Sequence, residues 1–146
     1  MPKVHREATV PFTAQQMYEL VSSIESYPEF VSTCVAGDVL HEGQNFVHAR
    51  LSFAKGMMKQ SFTTKNTLYP YEKIDMELLE GPFSRLSGGW VFSPVDKGSK
   101  IELHLDFDFD NRMLKMMLQP VFEQISLKML QSFCNQAEKV YGQYAC

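Results

Sequence analysis

Residues 111–144 constrain this chain more than any other stretch. Leu114, Leu118, Phe122, Ile125, Met129, Phe133, Ala137, Val140 and Tyr144 recur at steps of three and four, which places them along one face of an α-helix. At about 1.5 Å per residue such a helix runs roughly 50 Å, longer than a small domain is wide, so one end must project or bend. Pro120 is where a bend is expected, because it has no N–H for the carbonyl four residues back and its ring crowds that turn. An apolar face of this length needs a cover, and the preceding residues must supply it.

Upstream, Ile101, Leu103, Leu105, Phe107 and Phe109 alternate with Glu102, His104, Asp106, Asp108 and Asp110. That is the period of a strand with one dry face. Residues 3–10 read as a first strand, closed by Pro11-Phe12, with Thr13 as the N-cap of a helix striped by Met17, Leu20, Val21 and Ile24. Tyr27-Pro28 should interrupt that helix, since the residue before proline is pushed out of the α region. Residues 29–31 then make a second short turn.

Strands at 33–41 and 46–53 follow, joined by the hairpin composition Glu42-Gly43-Gln44-Asn45. After a turn at Lys55-Gly56, residues 58–68 leave the register open. Either Gln60, Phe62, Thr64 and Asn66 face inward, or Ser61, Thr63, Lys65 and Thr67 do. Beyond Pro70, Ile74, Met76 and Leu78 share one face. Gly81-Pro82-Phe83 turns the chain into the alternating Leu86, Gly88, Trp90 and Phe92, and 94–98 turns it again. The order is one strand, a helix pair, six strands in hairpins and a long helix, which makes an α+β fold of about seven strands.

With 146 residues the chain fits a single domain spanning 1–146. A net charge of −3 offers no general basic surface, so direct DNA binding is not expected. Cys34, Cys134 and Cys146 are odd in number and form no C-x-x-C pair, which suits a reducing compartment better than a disulfide framework or zinc site. No signal-like segment and no run of 18 apolar residues is present, so a cytoplasmic protein is expected.

No nucleophile elbow or phosphate-binding glycine loop occurs, and no catalytic residue is assigned. His104, Asp106 and Asp108 share a polar strand face, but a spacing of roughly 7 Å is wide for one ligand shell. A solvated face explains them, and no metal site is assigned. Lys55, Lys59 and Lys65 cluster in one hairpin and read as a basic patch or a solvated edge.

The inward set is rich in aromatics and methionine: Phe53, Phe62, Met76, Leu78, Phe83, Trp90, Phe92, Leu103 and Phe107 from strands, with Leu118, Phe122, Ile125 and Met129 from the helix. Such residues make either a solid core or an adaptable apolar cavity. Gln60, Thr64 and Asn66, if inward, would add the polar tips that orient a ligand.

Tyr27-Pro28-Glu29-Phe30, Gly81-Pro82-Phe83 followed by Leu86, Gly88, Trp90, Phe92 and Pro94, and the helix segment Met129-Leu130-Gln131-Ser132-Phe133 resemble the START-like (polyketide cyclase/dehydrase) superfamily. Within it, the chain resembles the coenzyme Q-binding proteins and their bacterial RatA-type ribosome association toxin branch. The resemblance implies a helix-grip (START/Bet v 1-like) fold, with a curved antiparallel sheet wrapped around the last helix over an apolar cavity. Tyr27 and Phe30 would shape the short helix at one end, and Phe83 and Trp90 would line or gate the cavity. It implies no required cofactor, ubiquinone or a similar lipid as bound ligand, and support of respiration, with transient contact at the inner membrane. Alternatively it implies binding to the large ribosomal subunit and a block on subunit association. A cyclase-like enzyme is the third reading. Gln136 stands before Ala137 where the family pattern often has arginine, which weakens any role resting on that charge.

Overall fold

The computed structural model describes residues 3–31, 34–55 and 57–141. Seven antiparallel strands form one sheet in the order β1-β7-β6-β5-β4-β3-β2. β1 (Lys3–Val10) pairs with β7 (Gly98–Phe109), so the N-terminal strand lies at one edge and β2 (Cys34–Glu42) at the other. Between these edges run α1 (Ala14–Ser22), a 3₁₀ turn (Ile24–Ser26) and α2 (Tyr27–Phe30). The remaining strands, β3 (Phe46–Lys55), β4 (Met58–Tyr69), β5 (Lys73–Glu80) and β6 (Phe83–Val95), follow as hairpins. Register shifts in the β2/β3, β4/β5 and β6/β7 pairs mark bulges, which bend and twist a sheet toward the element it wraps.

Thr13 starts α1 as expected: its Oγ1 accepts from the Gln16 N–H at 3.0 Å while the Gln16 side chain accepts from the Thr13 N–H at 2.9 Å. This reciprocal cap satisfies two otherwise orphaned donors, and a cap of this kind is worth about 1 kcal/mol. Tyr27-Pro28 behaves differently from expectation. α1 has already ended at Ser22, and Tyr27 is itself α-helical at φ −54°, ψ −42°. Burial overrides the local bias, because the Tyr27 ring is 3 % exposed, its hydroxyl donates to the Val21 carbonyl, and it meets Phe133 edge-on at 5.1 Å. Pro28 then occupies the first turn of α2, where a missing N–H leaves no helical bond unmade.

β6 runs through Pro94 to Val95, so the final hairpin turn is the two residues Asp96-Lys97 and not all of 94–98. β5 pairs with β6 only as far as Val91, so Pro94 sits where β6 has lost that neighbour and a strand tolerates proline. β7 fulfils its pattern: Ile101, Leu103, Leu105, Phe107 and Phe109 are all buried.

α3 (Arg112–Tyr141) is capped by Asn111, whose Oδ1 accepts from the Leu114 N–H at 2.9 Å. It continues through Pro120 without interruption. Pro120 and Met116, whose carbonyl it leaves without a donor, are both exposed, so water can take the place of the lost bond. Leu118, Ile125, Leu130, Phe133 and Ala137 are buried on the sheet side. Val140 is 41 % exposed, a correction to the expected stripe. Four residues past Ala137 the covered position is Tyr141, whose ring lies 6.1 Å from Phe12, while a step of three rotates Val140 outward. Tyr144 and Cys146 lie outside the described residues, as do Thr33 and Gly56.

Candidate functional site

Packing between sheet and helix leaves gaps. Two spaces lie between them, an inner one of about 50 Å³ and an outer one of about 40 Å³. Phe53, Phe62, Phe122 and Ile125 line both, and so form the partition between them. The partition is an aromatic stack: Phe53 and Phe62 lie parallel at 5.8 Å, and Phe62 meets Phe122 edge-on at 6.0 Å. Engineered apolar cavities that admit a benzene ring measure about 150 Å³, more than the two spaces together, so a ring enters here only if the partition side chains rotate and the walls move apart.

The inner space settles the open register of β4. Phe62, Thr64, Asn66 and Leu68 face it, while Ser61 is on the outer face and bonded to Ser52 at 2.7 Å. Thr64 and Asn66 are each 5 % exposed, and the Thr64 hydroxyl donates to Asn66 Oδ1 at 2.6 Å. That bond leaves the two hydrogens of Asn66 Nδ2 for an occupant, on a wall otherwise made of Val47, Leu51, Ile74, Met76 and Leu105. Ser126, on the helix side, returns its hydroxyl to the Phe122 carbonyl at 2.9 Å. Gln60 lines the outer space.

Of the residues expected from sequence, Tyr27, Met76, Trp90, Leu103 and Met129 line the inner space, Phe83 and Leu118 the outer, and Phe53, Phe62, Phe122 and Ile125 both. Phe30, Leu78, Phe92 and Phe107 line neither. Phe30 packs on Phe133 under α2 at 5.3 Å, and Phe92 meets Tyr18 of α1 at 5.8 Å. Phe107 is fully buried behind Phe122 at 4.8 Å. Leu78 is half-buried near the turn at Gly81. Sequence reasoning missed Val21, Ser22 and Ile24, which reach the inner space because α1 and the 3₁₀ turn fold over the sheet.

The described residues lining these spaces include no carboxylate, histidine, lysine or cysteine. Tyr27 is the titratable member, and burial pushes its phenol far above the usual range. Burial also pushes the thiols of Cys34 and Cys134 up, and both are free.

On the outer face, β1 and β7 bring together His5, Glu7 and Glu102, with His5 Nε2 3.4 Å from Glu102 and 4.0 Å from Glu7. Lys100 Nζ is 3.3 Å from Glu7, so this exposed group already carries its own cation. His104 stands opposite His5, and Asp106 is paired with Arg85 at 2.5 Å. Lys65 lies over the Phe46 ring at 5.0 Å and Lys59 is exposed; the side chain of Lys55 is outside the described residues.

A curved sheet gripping a long helix over a divided apolar space defines a helix-grip, START-like protein. The chain belongs to the polyketide cyclase/dehydrase and lipid transport family, which matches residues 10–134. It is 37 % identical over 143 residues to the ribosome association toxin RatA of Escherichia coli, covering 97 % of this chain and 90 % of RatA. It is 24 % identical over 136 residues to the coenzyme Q-binding protein COQ10 homolog B of Xenopus laevis, covering 90 % of this chain and 56 % of that protein. The ZhuI aromatase/cyclase of Streptomyces superposes with a TM-score of 0.85 at 22 % identity, covering 94 % of each chain, a likeness of fold alone.

Proposed function

We propose that the chain binds, without chemical conversion, an elongated apolar molecule with one hydrogen-bonding end, and that a quinone of the ubiquinone type is the ligand. The observation that carries this reading is the buried Thr64–Asn66 pair on an apolar wall. Buried polar groups in a dry site are costly unless they meet a partner, and an amide N–H offered to a carbonyl is such a match. With the partition side chains rotated and the walls moved apart, the ring end would sit beside Asn66 in the enlarged inner space, and the chain would pass between Phe62 and Phe122 into the outer one. The quinone identity draws on the name of the COQ10 relative, and with it comes a role in respiratory electron transport at the inner membrane. Among the described residues the lining offers no acid and base pair to a substrate, which favours binding over conversion.

Solvent extraction of the purified protein followed by mass spectrometry tests the reading. A co-purifying quinone or lipid, absent from the Asn66→Leu variant, supports it. An empty wild-type protein that also fails to take up added quinone contradicts it.

A second reading, association with the large ribosomal subunit, is favoured by the identity to RatA across nearly the whole chain. With a net charge of −3, such docking would rest on a local surface and not on a general positive field. Comigration of the protein with large subunits in a low-salt gradient supports it, and its absence there contradicts it, since charge contacts are strongest at low salt.

A further inference from the structure

The first turns of α3 are apolar on both sides. Leu118 and Val121 face the outer space, as a helix over a core should. On the opposite face, where a surface helix ordinarily carries polar side chains, stand Met113, Met116, Met117, Pro120 and, farther along, Leu127. Met113 is 70 % and Met116 73 % exposed. The tip of the β3–β4 hairpin adds Met57, which is fully exposed. These methionines gather at one end of the molecule: Ala54 and Gln60 of that hairpin, Pro82 of the β5–β6 turn, and Leu118 and Val121 of α3 together rim the outer space.

From this arrangement we infer that the end of the molecule bearing Met57, Met113, Met116 and Met117 docks on an anionic lipid bilayer, placing the outer space against the acyl layer. The inference rests on the ligand-binding reading above and names the phase from which the ligand is drawn.

Three observations favour a bilayer as the occupant. Arg112 and Lys115 are exposed beside the methionines, Lys59 is exposed on the hairpin, and α3 carries no carboxylate before Glu123. Asp110 and Glu80 are exposed nearby, so the attraction is confined to the helix and the hairpin and does not extend to the whole end. A helix with an apolar face and flanking cations lies stably at the boundary of headgroups and acyl chains, and anionic lipid strengthens the contact. Unbranched methionine side chains adapt to a surface with no fixed shape, where a single rigid protein partner would favour a defined set of aromatic or arginine anchors. Finally, Leu118 and Val121 of the same helix turns, with Ala54 and Gln60 flanking the hairpin tip, border the outer space, so a bilayer against this end lies beside it and an apolar ligand has a short path between the two.

The test is co-sedimentation of the full chain with phosphatidylcholine vesicles, either pure or with a third of the lipid replaced by phosphatidylglycerol. Binding at least tenfold stronger to the anionic vesicles, and weakened by salt, is expected. Met113→Glu with Met116→Glu should abolish it without moving the denaturation midpoint, since both side chains are in solvent. Arg112→Gln with Lys115→Gln should remove the preference for anionic lipid. Asn66→Leu should sediment with vesicles like wild type while losing its ligand, so a failure of docking and a failure of ligand binding read out separately. Wild type that stays in the supernatant with both vesicles overturns the inference, as does a double-glutamate variant that sediments normally. Loss of large-subunit comigration in the same double-glutamate variant, with no vesicle binding by wild type, also overturns it and assigns the face to the ribosome.

Discussion

Thr64 donates its hydroxyl to Asn66 two residues along β4, at 2.6 Å, with both side chains buried and facing the space under α3. Replacing Asn66 by Leu removes the amide offered to the proposed ligand and leaves the Thr64 hydroxyl without its acceptor. We expect a quinone affinity lower by roughly tenfold to a hundredfold, as for one lost hydrogen bond of about 1–3 kcal/mol in a dry site. Stability should fall by about 1–2 kcal/mol in Asn66→Leu and recover in the double variant Thr64→Val/Asn66→Leu, where both polar groups are gone. Titration calorimetry and urea denaturation on the three proteins measure both quantities.

Ile125 is 6 % exposed and lines both spaces. Ile125→Phe puts a ring into the gap between them. Because space lies on either side, the cost should stay below the roughly 1–3 kcal/mol that overpacking imposes on a filled core. Quinone uptake should fall at least tenfold, since the ring blocks the path past Phe62 and Phe122. A drop in the denaturation midpoint equivalent to more than that range would show the region to be solid.

Gly88 holds φ +145°, and a Cβ placed there would lie 2.1 Å from the backbone oxygen of His104 on β7. Gly88→Ala therefore combines a backbone that side chains rarely adopt with a clash against a neighbouring strand, for an expected loss of about 2–4 kcal/mol. Thermal denaturation checks it, with Ser87→Ala, one residue away and exposed, as the control that should barely change.

Much of this was legible in sequence wherever one face is dry and the other wet. β7 reads off directly, because each inward apolar residue is followed by an outward polar one. β4 does not, since polar side chains occupy both faces, and only its pairing with β3 and β5 selects Thr64 and Asn66 as inward. Phe92 and Phe107 face inward as expected, and Phe30 sits in the short helix α2, yet none of the three lines a space: Phe30 packs on Phe133, Phe92 on Tyr18 and Phe107 behind Phe122, positions set by tertiary packing and not by any local pattern. The His5, Glu7 and Glu102 group joins residues nearly a hundred positions apart, and only the β1–β7 register brings them together.

The Arg85 hydrogen bond holds the Asp106 carboxyl below the usual carboxylate range. A depressed folded value means that the pair's contribution is present above the unfolded pKa of about 3.9 and is lost as pH falls through the folded one. The stability difference between wild type and Asp106→Asn should therefore be constant near neutrality and shrink below about pH 4. It should be small throughout, because the pair is at the surface and screened by solvent. Chemical denaturation across that range follows it.

Trp90 is the single tryptophan of the chain, lines the inner space and meets Phe133 edge-on at 5.2 Å. A quinone ring bound beside Asn66 would lie in the same small space, so quenching of Trp90 fluorescence by a short-chain ubiquinone reports directly on occupancy. Saturable quenching in wild type, weakened at least tenfold in Asn66→Leu, is the result expected. Quenching that rises linearly with quinone and is unchanged by Asn66→Leu would contradict ligand binding in this cavity and leave ribosome association as the reading to pursue.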